Sequence, residues 1–151
     1  MQFRLTTGGL GGAATATEVS ATALNNIFDD VSAAEAAAGD TEYRAIDVYN
    51  DGASTITGVE LYMSTETSSA DSQLDMGIED TAANALNSTK AIVDESTAPT
   101  TVTFAHRTSG SKLSLPDIPA GEYARLWLRR VISAAATNTS NDQGTIEAVY
   151  A

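Results

Sequence analysis

Alternation of apolar and polar residues at a period of two is the feature that most limits what this chain can fold into. The pattern is clearest in residues 122–133, where Ala124, Leu126 and Leu128 alternate with polar and aromatic side chains. Successive side chains of a β-strand point to opposite faces of a sheet, so this alternation predicts a strand with one face in a core. Further strands are predicted at residues 2–7, 41–49, 59–64, 74–79, 101–105 and 145–150, with 91–93 as a short additional candidate.

The number and spacing of these segments predict the fold class. About seven or eight short strands separated by turn signals are typical of a sandwich. Long helices between the strands are missing, which disfavours a doubly wound α/β fold. We therefore predict an all-β protein, an antiparallel β-sandwich of the jelly-roll kind. The turn signal Asn50-Asp51-Gly52 lies between segments 41–49 and 59–64, so we expect those two strands to be antiparallel neighbours.

At most one short helix is predicted, ahead of the first long strand. Residues 19–31, from Leu24 onward, carry apolar side chains at helical spacing, although paired Asn and Asp residues interrupt them. Ser32 and Glu35 then have the spacing of a capping box, and the alanines that follow favour a helix. Gly39 is the predicted stop.

The N-terminal segment differs from the rest of the chain. Residues 2–7 alternate like a strand, but five residues rich in glycine, positions 8–12, follow them. Glycine loses much backbone entropy on ordering, so this cluster predicts a hinge. We expect residues 1–17 to form an N-terminal arm with a glycine hinge and residues 18–151 to form the β-sandwich domain. Such a segment either reaches a neighbouring subunit or is a frayed terminus.

Charge limits the classes of partner. The chain has 20 acidic and 8 basic residues and a formal net charge of −12. This charge repels nucleic acid and anionic lipid, and it favours electropositive partners. No apolar run approaches the ~20 residues that a membrane-spanning helix needs. We therefore expect neither a nucleic acid nor a membrane as partner.

Residues that could carry chemistry are few. His106 is the single histidine and lies beside Arg107, which disfavours a hydrolase triad or a zinc site, and cysteine is absent. The glycine cluster lacks the Gly-Lys-Ser/Thr ending of a phosphate-binding loop. A solvated surface explains the many carboxylates most simply. Calcium is the better alternative to that explanation, and a glycan hydrolase with two of these carboxylates ranks last. We expect no enzymatic activity and no cofactor.

A strip of cationic and aromatic residues is the main candidate for contact with a partner. Arg125, Trp127 and Arg129 share one face of the strand predicted at 122–133. Arginine and tryptophan dominate interface energetics, but arginine also forms bidentate pairs with carboxylates inside a chain, and both interpretations stay open. The candidate partner contacts are Phe3, Arg4 and Leu5 of the arm together with Arg125, Trp127 and Arg129 of the strip.

Three stretches of the chain resemble small structural proteins of tailed bacteriophages. They are residues 24–31 (LNNIFDDV), residues 39–50 (GDTEYRAIDVYN) and residues 118–130 (IPAGEYARLWLRR). In such proteins a Gly-Asp-x-Glu-Tyr-Arg segment leads into a strand that ends in Asn, and the next strand ends in a Ser-Thr-x-Thr run, here residues 64–67.

The resemblance implies a β-sandwich of the virion, and the jelly-roll cement proteins of phage heads fit the length and acidity best. It implies binding to the major capsid protein on the outer capsid surface, as a dimer or trimer, after synthesis in the host bacterial cytoplasm. The alternative is a carbohydrate- or receptor-binding sandwich on a head fibre or tail. In that case Tyr43, Tyr49, Tyr62 and Trp127 would stack on sugars, unless these aromatic residues belong to the core.

Overall fold

The computed structural model describes residues 1–22, 26–79 and 90–150, and β-strands are their main regular secondary structure. They form eight strands, one six-residue α-helix (α1) and a 3-10 turn at Thr7–Gly9. No helix within these ranges has the length and apolar character needed to cross a membrane. In chain order the elements are β1 (Gln2–Thr6), β2 (Ala14–Glu18), α1 (Ala33–Ala38), β3 (Asp40–Tyr49), β4 (Glu60–Thr65), β5 (Ser72–Ile78), β6 (Leu113–Ser114), β7 (Tyr123–Ile132) and β8 (Thr145–Val149).

The strands form two antiparallel sheets. One sheet has five strands in the order β2-β1-β3-β7-β5, and the other has three strands in the order β6-β4-β8. The pairing of β3 with β7 is the longest and runs from Asp40 opposite Ile132 to Tyr49 opposite Tyr123. The predicted all-β, antiparallel sandwich with one short helix is confirmed.

The core lies between the inner faces of the two sheets. The predicted inward face of β7, Ala124, Leu126 and Leu128, belongs to it. Opposite lie apolar residues of β4, so each sheet contributes alternate positions of its strands, as the period-two pattern requires. The buried members of the core are Ile46, Val48, Val59, Leu61, Met63, Met76, Leu113, Leu115, Ile118, Ala124, Leu126 and Leu128.

The outer face of the five-stranded sheet is also covered, by loops. Trp127 is fully buried on this face. Gly11 has φ +78°, and a Cβ there would lie 2.5 Å from the Trp127 ring. A Cβ on Gly77 would likewise lie 2.6 Å from Val102 Cγ1. The two glycines therefore allow the loops to pack directly on the sheet.

The segment predicted as an arm lies in the sheet of its own chain. β1 pairs with β3 on one side and with β2 on the other. Phe3 and Leu5 are half-buried against the core. The glycine-rich turn is held by hydrogen bonds, from Gly11 N to Thr6 Oγ1 at 3.3 Å and from Thr7 N to Ala13 O at 2.9 Å. Apolar contacts of Phe3 and Leu5 with the core, and backbone pairing of β1 with β3, explain why the segment packs on its own chain.

Two predictions about strand arrangement are wrong. β3 and β4 are not neighbours, because β3 pairs with β1 and β7 whereas β4 pairs with β6 and β8. The loop between them passes from one sheet to the other. The buried Asn50 fixes this loop, since its Nδ2 donates to Ser54 O at 2.7 Å and to Ile118 O at 2.8 Å.

The second wrong prediction concerns residues 101–105 and 91–93, which form no regular strands. Thr101 has φ +63°, which interrupts an extended backbone, and only an isolated bridge joins Ala105 to Met76. Ile92 N donates to Leu10 O instead of to a strand. Residues 80–89, which begin the same region, lie outside the described residues.

The short helix begins and ends where predicted. Ser32 Oγ accepts from Glu35 N at 3.3 Å, and Glu35 Oε2 accepts from Ser32 N at 2.6 Å, which completes the capping box. Gly39 follows the helix with φ +79°. Residues 19–22 and 26–31 contain no helix, and Leu24 of the same predicted segment lies outside the described residues.

Candidate functional site

Arg125 and Asp47 form a buried ion pair across β7 and β3, where their positions are directly opposite. Arg125 Nε lies 2.9 Å from Asp47 Oδ1 and Nη2 lies 3.2 Å from Oδ2, so the pair is bidentate. Arg125 Nη1 also donates to Gly11 O at 2.5 Å. The side chains are 2% and 1% exposed. Burial raises the pKa of Asp47, and the Arg125 guanidinium opposes that shift.

Arg129 and Asp75 form a second cross-strand pair, between β7 and β5. Arg129 Nε donates to Asp75 Oδ2 at 3.0 Å and Nη2 donates to the same oxygen at 2.5 Å. Asp75 is buried, whereas Arg129 is about one-third exposed and lies over the Phe104 ring at 5.2 Å. The outward face of β7 is therefore fixed by charge pairing within the chain.

Five charged side chains form a third cluster at the inner face, next to Phe28. Arg130 pairs with Glu42, and Arg44 pairs with Glu95. Asp29 Oδ1 lies 3.8 Å from Arg44 Nη2 and 3.7 Å from Arg130 Nη2. Burial raises the pKa of Glu42, while Arg130 opposes the shift.

The same cluster bears on the calcium alternative. Ligand oxygens of Asp29, Glu42 and Glu95 lie within 4.8 Å of one another. Two guanidinium groups lie between these carboxylates and offset most of their charge. The arrangement therefore fits an internal ion-pair network, and the acidic residues alone do not assign a metal.

The predicted strip on β7 lies largely inside the chain. Trp127 is fully buried, and its Nε1 donates to Glu79 Oε1 at 2.9 Å. Arg125 is buried with Asp47, which matches the second of its two predicted roles, pairing with a carboxylate inside the chain. Arg129 keeps some exposed area beside Asp75. Contact of these three residues with a partner stays a prediction.

The other predicted contacts lie on β1, the second strand of the five-stranded sheet, between the edge strand β2 and β3. The Arg4 guanidinium lies over the Tyr49 ring, 3.3 Å from its centroid. Arg4 also donates to Gln2 Oε1 from Nε at 3.0 Å and from Nη2 at 2.7 Å. Phe3 and Leu5 point to the core side of the same strand. Their contact with a neighbouring subunit also stays a prediction.

His106 is held by its neighbours in the sandwich. Its Nδ1 lies 3.0 Å from Leu74 O, and its Nε2 lies 3.2 Å from Glu66 Oε1. The ring is about one-third exposed. These contacts connect the ends of β4 and β5 through residue 106, which fits a structural role for the histidine.

The exposed charge of the protein is acidic. All eight basic residues lie in the described ranges, and each is either buried or only partly exposed. Three of the arginines pair with carboxylates directly opposite in the sheet, which reduces the positive charge that they present to solvent. By contrast, eight acidic residues are exposed: Glu18, Asp29, Asp30, Asp51, Glu66, Asp94, Asp117 and Glu147.

A large cleft, here named the inner-face cleft, opens beside the core. Its volume is about 1580 Å³. The five-stranded sheet, the start of β8, helix α1 and the residues around 18–21, 26–32, 67–71 and 135–144 surround it. Its apolar wall includes Phe3, Ile46, Leu74, Leu128, Ile132 and Ile146.

Comparison with known proteins gives no relative from which a function could be transferred. No protein-family model, no curated protein and no solved structure matches the chain.

Sequence reasoning located the arginines of β7 but missed their partners. Asp47 on β3 and Asp75 on β5 each lie between two apolar residues, which is the available signal, whereas Glu42 shares its strand face with the core residues Ile46 and Val48. Their pairing depends on strand register between segments far apart in sequence. The inner-face cleft had no signal in the sequence, because it depends on how two sheets of unequal width pack.

Proposed function

We propose that this chain is a structural protein of a tailed-phage virion that binds the outer capsid surface and stabilises the shell. Its partners would be the major capsid protein and further copies of itself, in a dimer or trimer. The β-sandwich fold supports the proposal, as do the stretches 24–31, 39–50 and 118–130, which resemble such proteins.

The acidic exposed surface is the observation that carries the proposal. Every basic side chain is buried or half-buried, so the charged side chains that count as exposed among the described residues are all carboxylates. Such a surface attracts electropositive protein surfaces and repels DNA. A location on the outside of a DNA-filled particle satisfies both conditions.

The expected mechanism is thermodynamic. A protein that binds only the assembled shell stabilises it by mass action, by about 2.7 kcal/mol per site at a concentration 100 times Kd. An oligomer gains avidity, because one copy stays bound while the other binds the neighbouring subunit. The ion pairs across β3, β5 and β7 hold the sheet in one conformation, which lowers the entropy lost on binding.

The sugar-binding alternative has less support from the aromatic residues. Trp127 is fully buried. Arg4 lies over the ring of Tyr49, and Lys112 lies 5.8 Å from the centroid of Tyr62. A sugar would have to displace these cations before it could stack. A glycan array with no bound ligand is the expected result, and specific binding would favour the alternative.

The experiment that tests the proposal uses phage heads prepared without this protein. Purified full-length chain is added to the heads, and bound copies and the temperature of DNA release are measured. We expect saturable binding, a higher release temperature, and weaker binding as NaCl rises from about 50 to about 500 mM, because salt screens exposed charges.

The control is an unrelated protein of the same net charge, which should neither bind nor protect the heads. Heads that bind the chain no better than this control, or that release DNA at an unchanged temperature, would contradict the proposal.

A further inference from the structure

We infer that the inner-face cleft accepts an extended, basic segment of a partner protein, which adds as a strand to the free edge of β8. The inference rests on the proposed function, since it describes how a capsid subunit would be held. It adds the place of contact and the chemistry of the segment.

The two sheets differ in width. Five strands form one sheet and three form the other, so the smaller sheet leaves part of the larger sheet's inner face uncovered. The cleft at this place has a volume of about 1580 Å³. Small-molecule pockets commonly have about 300–1,000 Å³, so the space suits a polypeptide segment better.

One edge of β8 is open to backbone hydrogen bonding. Within the described strands, β8 pairs with β4 on one side and has no strand on the other. Its first residues, Thr145 and Ile146, line the cleft. Natural edge strands commonly carry lysine or proline that hinders pairing with another chain, whereas Thr145–Val149 contains neither. An extended peptide can therefore pair with β8 through backbone hydrogen bonds.

An added strand would also cover apolar surface. Leu74 and Ile146 are half-buried and face the cleft. Val31, with 37% of its surface exposed, lies on the cleft and is one of three exposed large apolar residues among those described. Because side chains alternate along a strand, apolar residues at every second position of the added segment would meet this wall.

The charge of the cleft favours a basic occupant. The cleft is lined by Glu18, Asp29, Asp30, Asp71 and Asp142. The single basic residue among the described lining residues is Arg130, and it is already paired with Glu42. A segment with lysine or arginine beside its apolar residues fits this lining. A second copy of a chain with net charge −12 fits it poorly.

A peptide experiment tests the edge and the chemistry together. The probe is a synthetic peptide of about nine residues, within the usual strand length, with alternating valine and threonine and two lysines at each end. Hydrogen exchange of the full-length chain is measured with and without the peptide. We expect slower amide exchange at residues 145–149.

Two control peptides separate the contributions. One replaces the lysines with glutamates, and the other carries N-methyl groups at alternate backbone nitrogens. Both should bind and protect less, since the first loses the charge attraction and the second loses the backbone hydrogen bonds. No protection by the lysine peptide, or protection at β2 instead of β8, would overturn the inference.

Three matched substitutions test the place of contact. Glu18→Lys and Asp30→Lys change the lining of the cleft, and Asp117→Lys makes the same charge change at an exposed residue outside it. None of the three carboxylates makes an ion pair or side-chain hydrogen bond within the described residues, so the fold should be retained. We expect the first two variants to bind the lysine peptide and phage heads more weakly, and Asp117→Lys to bind like the unaltered chain.

The outcomes distinguish this inference from the proposed function. Equal weakening by all three variants would indicate a long-range charge effect and would overturn the inference. If the unaltered chain binds heads and the cleft variants bind them equally well, the cleft is not the place of contact. The proposed function would still stand. Peptide binding at β8 without any binding to heads would contradict the virion proposal and support the strand-accepting edge.

Discussion

Replacing Arg125 with methionine should destabilise the protein more than any other single change in its ion pairs. The substitution leaves Asp47, whose side chain is 1% exposed, as an uncompensated carboxylate inside the sandwich. Removing one partner of a buried pair commonly costs about 3–5 kcal/mol. Gly11 O also loses its donor at 2.5 Å. Against a total stability of about 5–15 kcal/mol for a domain, this loss is large.

The assay is urea unfolding of the unaltered chain, Arg125→Met, and the double variant Asp47→Leu/Arg125→Met. We expect the double variant to recover most of the lost free energy, because apolar residues of similar volume often replace a buried pair without net cost. The matched control is Lys112→Met, which breaks the half-exposed pair with Glu60 and should cost about 0–1 kcal/mol. A loss for Arg125→Met no larger than that of the control would show that Asp47 is not left as an uncompensated buried charge.

Three further predictions test the local structure. Burial raises the pKa of the Glu42 carboxyl above its ordinary 4.5, so the folded state binds a proton at Glu42 more readily than the unfolded state does. The contribution of Glu42 to the free energy of unfolding therefore falls as pH rises from 4.5 through the raised pKa. Glu42→Gln should flatten that part of the curve of unfolding free energy against pH, and an unchanged slope would count against a buried carboxylate. Gly11→Ala should lower the free energy of unfolding by about 1–3 kcal/mol and alter Trp127 fluorescence, because the added Cβ meets the Trp127 ring. Unchanged thermal unfolding would contradict this packing. Ser32→Ala should weaken the capping box by about 1 kcal/mol and speed amide exchange in α1, and unaltered exchange at residues 33–38 would argue against the cap.

Local patterns predicted much of the fold. The period-two alternation located β3, β5, β7 and β8 to within one or two residues, because one face of each strand needs apolar side chains in the core. The capping box at Ser32 located the helix start, since its hydrogen bonds lie within a single turn. These features depend on residues close together in the sequence.

Features that depend on distant residues were not predictable in the same way. The signal Asn50-Asp51-Gly52 correctly marked the end of β3, but the chain then crosses to the other sheet. That crossing depends on the hydrogen bond from Asn50 Nδ2 to Ile118 O, 68 positions away. The burial of Trp127 depends on a loop that Gly11 allows to approach. The partner of Arg125 lies 78 positions away on β3, so the sequence left both interpretations of that arginine open.

The position of the protein in purified phage particles would decide whether it is a capsid-surface protein, as proposed. Cryo-electron microscopy of heads with and without the chain would locate its density and give its copy number. We predict many copies distributed over the outer capsid surface, in contact with the major capsid protein. Density at the tail alone, or heads whose outer surface does not change when the protein is removed, would contradict the account.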